Sequence, residues 1–296
     1  MSSPSFLQGD FIAHQIVVPA IVLLLLLSCV LKNNGGSEWM TKEPRHQLHM
    51  EFNPLERCSS PLESLLGYAS DVPAFSNCHR HWESETYIYT VLGYPHEVHK
   101  IIPHNSLKTF VITSIGWLAD EYVIRYYLHT RGYSVYFGGH QSTSFWEGLQ
   151  FTGGGSVDRY YERISLLNGA VVETTTERKR HAPRRDDIIV WEEQYKTYFP
   201  RGHVAVVVQV EDDVEEAGGP AKLLELKNKW QHPLLVYIAE QNFDNKPWKG
   251  RNYSRVLKFS WQKGEKAVLA DPDGPPVIGH SRPGKMVINT EQSGDL

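Results

Sequence analysis

The sequence has few cysteines and no excess of positive charge. Of its three cysteines, Cys29 lies in an apolar run, so at most one disulfide can form, between Cys58 and Cys78. This excludes a disulfide-rich scaffold. Lys and Arg total 30 against 34 Asp and Glu, a net charge of −4, which excludes the strongly basic surface of a nucleic-acid-binding domain. We therefore expect no nucleic-acid partner. With 41% hydrophobic and 22% charged residues, the composition is that of a globular protein.

The N-terminus lacks basic residues but contains a long apolar run. Residues 1–10 have no Lys or Arg, which argues against a cleaved signal peptide with its basic leader. The 21 residues 11–31 read FIAHQIVVPAIVLLLLLSCVL, and a membrane-spanning helix needs about 20 mostly apolar residues. We predict a tail at 1–10 and a transmembrane helix at 11–31 whose partner is membrane lipid. A buried core helix is the alternative.

The rest of the chain divides by composition into three parts. Residues 32–60 are polar and read as a linker or arm, 61–285 as a globular domain, and 286–296 as a C-terminal tail. Lys32, Lys42 and Arg45 follow the apolar run, so the positive-inside tendency predicts a single-pass protein whose domain faces the cytosol or an equivalent compartment such as the mitochondrial matrix.

The globular part carries one helical segment and several strand signals. Residues 117–131 lack Gly and Pro, are apolar on most sides and precede Gly132, as expected of a buried helix with a C-cap. Residues 152–187 are predicted to be an insertion. Its basic cluster, Arg178–Arg180 with Arg184 and Arg185, is interpreted as part of a solvated loop, with contact to acidic partners or lipid head groups as the alternative. The order of elements suggests an α+β fold with an antiparallel sheet. Strands are predicted at 187–191, 203–210, 234–240 and 256–259, and a helix within 211–233.

A histidine-rich stretch raises the question of a metal site. Its candidate ligands are spaced irregularly, whereas zinc ligands usually come in closely spaced pairs. We therefore interpret these side chains as surface or packing residues and predict neither a metal nor a cofactor. The candidates are Cys78, His79, His81, His96, His99 and His104.

The layout of helix and strands matches what a thiol hydrolase requires. Such an enzyme uses a cysteine near a helix start, a histidine that takes its proton, and a third group that orients the histidine. Here the buried helix begins near 117–121, one strand opens with Gly202 and His203, and a neighbouring strand ends at Glu240.

Several motifs resemble the CHAP amidase domain, particularly that of glutathionylspermidine and trypanothione synthetase/amidases. The resemblance runs collinearly over about residues 64–284 and implies a papain-like α+β fold, with a helix packed on an antiparallel sheet. It also implies that His203 stands at the general base and Glu240 at the orienting acid. The matching pieces are SLLGYA (64–69), VPAFSN (72–77), AP (182–183), DIIVW (187–191), GHVAV (202–206), IAEQN (238–242) and YSRVL (253–257).

The nucleophile of that family is missing. Its motif reads approximately Trp-Gln-Cys-Val-Glu, whereas this chain has Trp117, Leu118, Ala119, Asp120 and Glu121. Ala119 therefore stands where the family has its cysteine, and loss of the nucleophile in a comparable hydrolase costs on the order of 10⁶ in kcat. The resemblance thus implies that His203 and Glu240 are vestigial.

Three functions are compatible with these sequence features. The first is a membrane-anchored pseudoenzyme, an accessory subunit of a membrane complex with protein partners, for which the mitochondrial inner membrane is one candidate location. The second is an active amidase or peptidase on glutathione–polyamine or peptide amide bonds, in which Cys78 or an activated water replaces the missing cysteine. The third is a module that binds a small-molecule ligand without cleaving it.

Overall fold

The computed structural model describes residues 58–288, except for 81, 83, 85, 105, 139–142, 154–158, 195–198, 200 and 264. The predicted transmembrane helix at 11–31 and most of the 32–60 linker lie outside the described residues. The longest described helix has 13 residues, and none of the described helices combines the length and apolar character that crossing a bilayer requires.

Strands dominate the described part of the chain. They account for 42% of it, against 16% for helices. The helices are α1 (Ala119–Arg131), α2 (Phe145–Gly148), α3 (Thr175–His181) and α4 (Pro220–Asn228). The strands are β1 (Leu65–Ala69), β2 (Val72–Phe75), β3 (Tyr87–Val91), β4 (Tyr94–His99), β5 (Phe110–Ile115), β6 (Ser134–Phe137), β7 (Leu149–Thr152), β8 (Arg159–Leu167), β9 (Ile188–Trp191), β10 (His203–Asp212), β11 (Leu234–Ala239), β12 (Arg255–Gln262), β13 (Lys266–Ala270) and β14 (Val277–Ile288).

The predicted fold class was wrong. Instead of a papain-like α+β unit, the described residues form a nine-stranded antiparallel sheet in the order β13-β12-β11-β10-β9-β14-β8-β7-β6, with two small sheets, β1-β2 and β4-β3-β5. The difference arises because β14 pairs with β8 and β9, which brings the segment predicted as an insertion into the sheet. Such pairings join distant parts of the chain and leave no local signal in the sequence.

The segment 152–187 was wrongly predicted to be an insertion, because its strand β8 belongs to the main sheet. It contains β8 and α3, and α3 starts with a capping box in which Thr174 and Glu177 exchange hydrogen bonds. Arg178 is buried, donates to the carbonyl oxygens of Val172 and Glu173, and forms an ion pair with Glu265. The basic cluster is therefore partly built into the domain.

The individual helix and strand predictions near the sheet centre were confirmed. Residues 117–131 were predicted as a helix, and α1 spans Ala119–Arg131 and ends at Gly132, which has a φ of 70°. Strands β9, β10, β11 and β12 overlap the four predicted strands, and α4 falls within 211–233. The last strand continues to Ile288, three residues into the segment expected to be a tail.

The large sheet separates two apolar cores. Along β10, Val204 and Val206 pack into the first core together with Tyr122 of α1, whereas Ala205 and Val207 pack into the second core. This alternation follows from the two-residue period of side chains along a strand. Both faces of β10 are therefore apolar, which explains its nearly continuous β-branched sequence.

A disulfide closes the start of the described chain. Cys58 and Cys78 form a disulfide, which is the pairing expected from the sequence. The Ser59 amide donates to the carbonyl oxygen of Cys78. The end of the predicted linker is therefore fastened to the loop after β2.

Candidate functional site

His203 and Glu240 come together at one end of the sheet. His203 is the first residue of β10, and Glu240 follows the last residue of β11, which pairs with β10. The imidazole Nε2 lies 2.8 Å from Glu240 Oε2, and the two side chains are 1% and 3% exposed. A Cβ at Gly202 would clash with the carbonyl oxygen of Trp191, so the residue before His203 must be glycine. The predicted pairing of these two residues is present in the structure, whereas their role stays a prediction.

Glu240 is fixed by more than the histidine. Its Oε1 accepts hydrogen bonds from the Arg255 Nε at 2.6 Å and from the Ser254 hydroxyl at 3.1 Å. Burial alone would raise the pKa of Glu240, but the charge of Arg255 and the hydrogen bonds from His203 and Arg255 outweigh it and lower the pKa to about 2. The carboxylate is thus held ionised inside the domain.

Arg255 extends this pair into a chain of charged groups. Its Nη1 donates to both carboxylate oxygens of Asp271, at 2.8 and 2.9 Å, and the Trp191 indole donates to the same carboxylate at 2.8 Å. The two carboxylates raise the pKa of the Arg255 guanidinium against the effect of its burial. We call His203, Glu240, Arg255, Asp271 and Trp191 the buried network; it connects β9 to the end of β13.

Aromatic side chains enclose the histidine. The centroid of the His203 ring lies 4.7 Å from that of Phe199, 5.2 Å from that of Trp191 and 5.7 Å from that of Phe243. The Arg255 guanidinium lies 3.4 Å from the Phe243 centroid, a cation–π contact. A substrate would have to displace part of this aromatic packing to reach the imidazole.

Ala119 lies on the other side of the sheet from the histidine ring. It is the first residue of α1, is 5% exposed and belongs to the first core. His203 is paired with Trp191 in the β9–β10 register, and Trp191 belongs to the second core. Since directly paired residues project to the same face of a sheet, the His203 ring faces the second core. The interpretation of Ala119 as the former nucleophile position stays a prediction.

Glu121, which matches the amidase motif, and its neighbours at the start of α1 have structural partners. Arg125 forms a buried ion pair with Glu121, at 2.8 Å, and donates to Gln241 at 3.1 Å. Gln241 in turn donates to the Leu118 carbonyl oxygen at 3.2 Å. These hydrogen bonds connect the start of α1 to Gln241, the residue after Glu240. Asp120 accepts from the Ser114 hydroxyl at 2.7 Å, and burial raises its pKa.

The described cysteines supply no thiol. Cys58 and Cys78 form the disulfide, so neither is a replacement nucleophile while that bond is intact, and Cys29 lies outside the described residues.

In the described part of the chain, no group of three or more His, Cys, Asp or Glu side chains could hold a metal ion. His96 instead contacts the Tyr68 ring and His99 the Phe110 ring, while His81 is not among the described residues.

Sequence reasoning did not find the whole network. Arg255 falls within the quoted YSRVL motif, but no role was assigned to it. Trp191 falls within the quoted DIIVW motif, again without an assigned role. Nothing local marked Asp271 or Phe243, because their positions depend on strand pairing and on a loop following β11.

No family model matches the sequence, and no curated protein is similar enough to it to be identified as a relative. The resemblance to CHAP amidases therefore depends on the short motifs alone, and every role derived from it stays a prediction.

Proposed function

We propose that this chain is a membrane-anchored, non-catalytic protein, related in its motifs to CHAP amidases, that serves as an accessory subunit of a membrane complex. The observation that carries the proposal is that the His203–Glu240 pair is enclosed within the buried network, away from solvent. A general base must reach the proton that it removes. Here the imidazole is 1% exposed and surrounded by aromatic rings, so the pair acts as a structural element.

The lack of a nucleophile supports the same conclusion. Position 119 carries a methyl group, and the two described cysteines are joined to each other. An amidase of the cysteine type requires a thiolate. Among the described residues, a cysteine-type amidase therefore has no thiol to begin its reaction, and an activated water would depend on the buried His203.

The accessory role is tested by the size of the native assembly. The full chain, expressed with an affinity tag in its own cell type and extracted in mild detergent, should migrate on a native gel well above its mass of 33.8 kDa. Co-purified proteins in fixed ratio to the chain would support the role. A monomer in native extracts, with no stable partner after cross-linking, would contradict it.

A non-cleaving binding module is the second candidate, and one cavity favours it. A surface cavity of about 640 Å³ is lined by Ser70, Arg185, Asn252 and the 208–210 segment of β10. This volume falls within the usual range for small-molecule sites, about 300–1,000 Å³. Neither His203 nor Glu240 lines it, so a ligand there would not meet the buried network. Calorimetric titration with glutathione–polyamine conjugates would separate this candidate from the first.

A further inference from the structure

One exposed asparagine lies in the sequence pattern that accepts an N-linked glycan. Asn252, Tyr253 and Ser254 match Asn-X-Ser with X other than proline, and no other part of the sequence contains an Asn-X-Ser or Asn-X-Thr pattern of this kind. We propose that Asn252 is a modification site whose side-chain amide carries an N-linked oligosaccharide. This inference goes beyond the proposed function and does not depend on the N-terminal anchor.

The loop between β11 and β12 presents Asn252 to solvent. The chain turns at Trp248, whose carbonyl oxygen accepts from the Arg251 amide at 3.2 Å, and the exposed Asn252 follows this turn. Asn252 also lines the surface cavity of about 640 Å³, so open space adjoins the residue. N-linked glycans are bulky and belong on the surface, and Asn252 meets that requirement.

The side chain of Asn252 makes no contact that a glycan would have to break. No group in the described part of the chain hydrogen-bonds to its amide. By contrast, hydrogen bonds hold the side chains of Asn77, Asn168 and Asn245 against other parts of the domain. Asn252 is therefore available for modification without loss of a structural interaction.

Ser254 supplies the hydroxyl that the acceptor pattern requires, but this serine also has a structural role. Its hydroxyl oxygen lies 2.9 Å from the Ile238 carbonyl oxygen and 3.1 Å from Glu240 Oε1. Ser254 thus supports the buried network with or without a glycan, so the serine alone does not argue for modification. The proposal depends on the exposure and the unbonded amide of Asn252, for which the fold supplies no other role.

The disulfide supports the proposal independently of the sequence pattern. The Cys58–Cys78 bond is of a kind that persists in oxidising compartments such as the lumen of the endoplasmic reticulum and the cell surface. N-linked glycans are found on proteins of the same compartments. The basic residues after the apolar run favour the cytosolic side instead, so the state of Asn252 also decides between these two indications.

The transfer is a substitution at the first sugar of a polyprenyl-diphosphate-linked oligosaccharide. The side-chain nitrogen of Asn252 forms a bond to the anomeric carbon while the bond between that carbon and the diphosphate oxygen breaks. The nitrogen gives up one proton to a base of the membrane-bound transferase, and the polyprenyl diphosphate leaves with the electron pair of the broken bond. Nothing is oxidised or reduced, so the lipid-linked donor and the transferase are the only co-reactants.

Enzymatic removal of N-glycans tests the proposal. The full chain, tagged and purified from its own cell type, would be treated with peptide N-glycosidase in heavy-oxygen water, which converts a glycosylated asparagine into labelled aspartate. We expect faster migration on a denaturing gel after treatment and labelled aspartate at position 252 in peptide mass spectra. Asn252→Gln should show no shift. The matched control Asn228→Gln removes an exposed asparagine at the end of α4, outside the pattern, and should shift as the wild type does.

A conservative variant and the native assembly separate the possible outcomes. Ser254→Thr keeps both the hydroxyl and the acceptor pattern, so its glycan should persist. Unmodified Asn252 in the wild-type chain would overturn the proposal, whether the cysteines are bonded or free, and so would a glycan found only on another residue. Stable protein partners of an unglycosylated chain would overturn the glycan and leave the accessory role intact, whereas a glycosylated monomer would do the reverse.

Discussion

Ala119 and His203 face different cores of the domain. Ala119 packs in the first core at the start of α1, whereas the His203 ring lies 5.2 Å from the Trp191 ring in the second core. The sheet therefore separates the position that the amidase motif gives to the nucleophile from the ring that would serve as its base. What the amidase-like motifs retain in this chain is a set of buried ion pairs.

Restoring the cysteine should not restore hydrolysis. In the Ala119→Cys variant, the new thiol would lie in the first core, 5% exposed, and would not meet the imidazole. In a Cys29→Ser background, we expect it to react with an aromatic disulfide reagent about tenfold more slowly than the thiol of Leu224→Cys. Hydrolysis of glutathionylspermidine gained by Ala119→Cys would show that the two residues meet.

The buried network should contribute strongly to stability. Glu240→Gln removes a charge that Arg255 and His203 both contact, and breaking one partner of a buried ion pair costs about 3–5 kcal/mol. Urea unfolding followed by circular dichroism measures the loss. Glu225→Gln on α4, whose carboxylate is exposed and paired only with lysines, is the matched control and should leave the midpoint unchanged. Equal midpoints for the two variants would argue against the network.

The same carboxylate predicts how stability depends on pH. The pKa of Glu240 falls from 4.5 to about 2 on folding, so the unfolded chain binds the proton more tightly in this interval. Its contribution, about 3 kcal/mol, is present above pH 4.5 and is lost as the pH falls toward 2. Unfolding free energies measured between pH 2 and 6 should therefore decline toward acid less steeply in Glu240→Gln than in the wild type. Parallel curves would contradict the assigned pKa.

Reduction of the disulfide should destabilise the domain. Cys58 and Cys78 close a loop of about 20 residues, and such a crosslink typically contributes about 2–4 kcal/mol. We expect dithiothreitol to lower the melting temperature of the wild type, whereas a Cys58→Ser/Cys78→Ser variant should melt at the same lower temperature with and without reductant. A wild type unaffected by complete reduction would argue against a stabilising crosslink.

The disulfide also bears on the orientation of the proposed membrane anchor. Structural disulfides persist in oxidising compartments and are rare in the cytosol. The basic residues Lys32, Lys42 and Arg45 predict the opposite, a domain on the cytosolic or matrix side. The two features therefore make opposite predictions for the orientation of the proposed anchor.

The central elements were predictable from the sequence because their signals are local. Gly132 marks the end of α1, and the β-branched run of β10 indicates a strand buried on both faces. The same run could not show whether the His203 side chain lies on the face of the sheet that packs against α1, because both faces of β10 are apolar. The pairing of β8 with β14 and the position of Asp271 depend on contacts between distant parts of the chain, so neither could be predicted.

Turnover by the wild-type chain tests most directly whether the His203–Glu240 pair is catalytic. Glutathionylspermidine and a panel of peptide amides would be incubated with the protein, and product would be measured by mass spectrometry beside His203→Ala. Product formation by both proteins should equal the uncatalysed background, because the imidazole is 1% exposed and the two described cysteines are bonded to each other. Turnover by the wild type that disappears in a folded His203→Ala variant would contradict it.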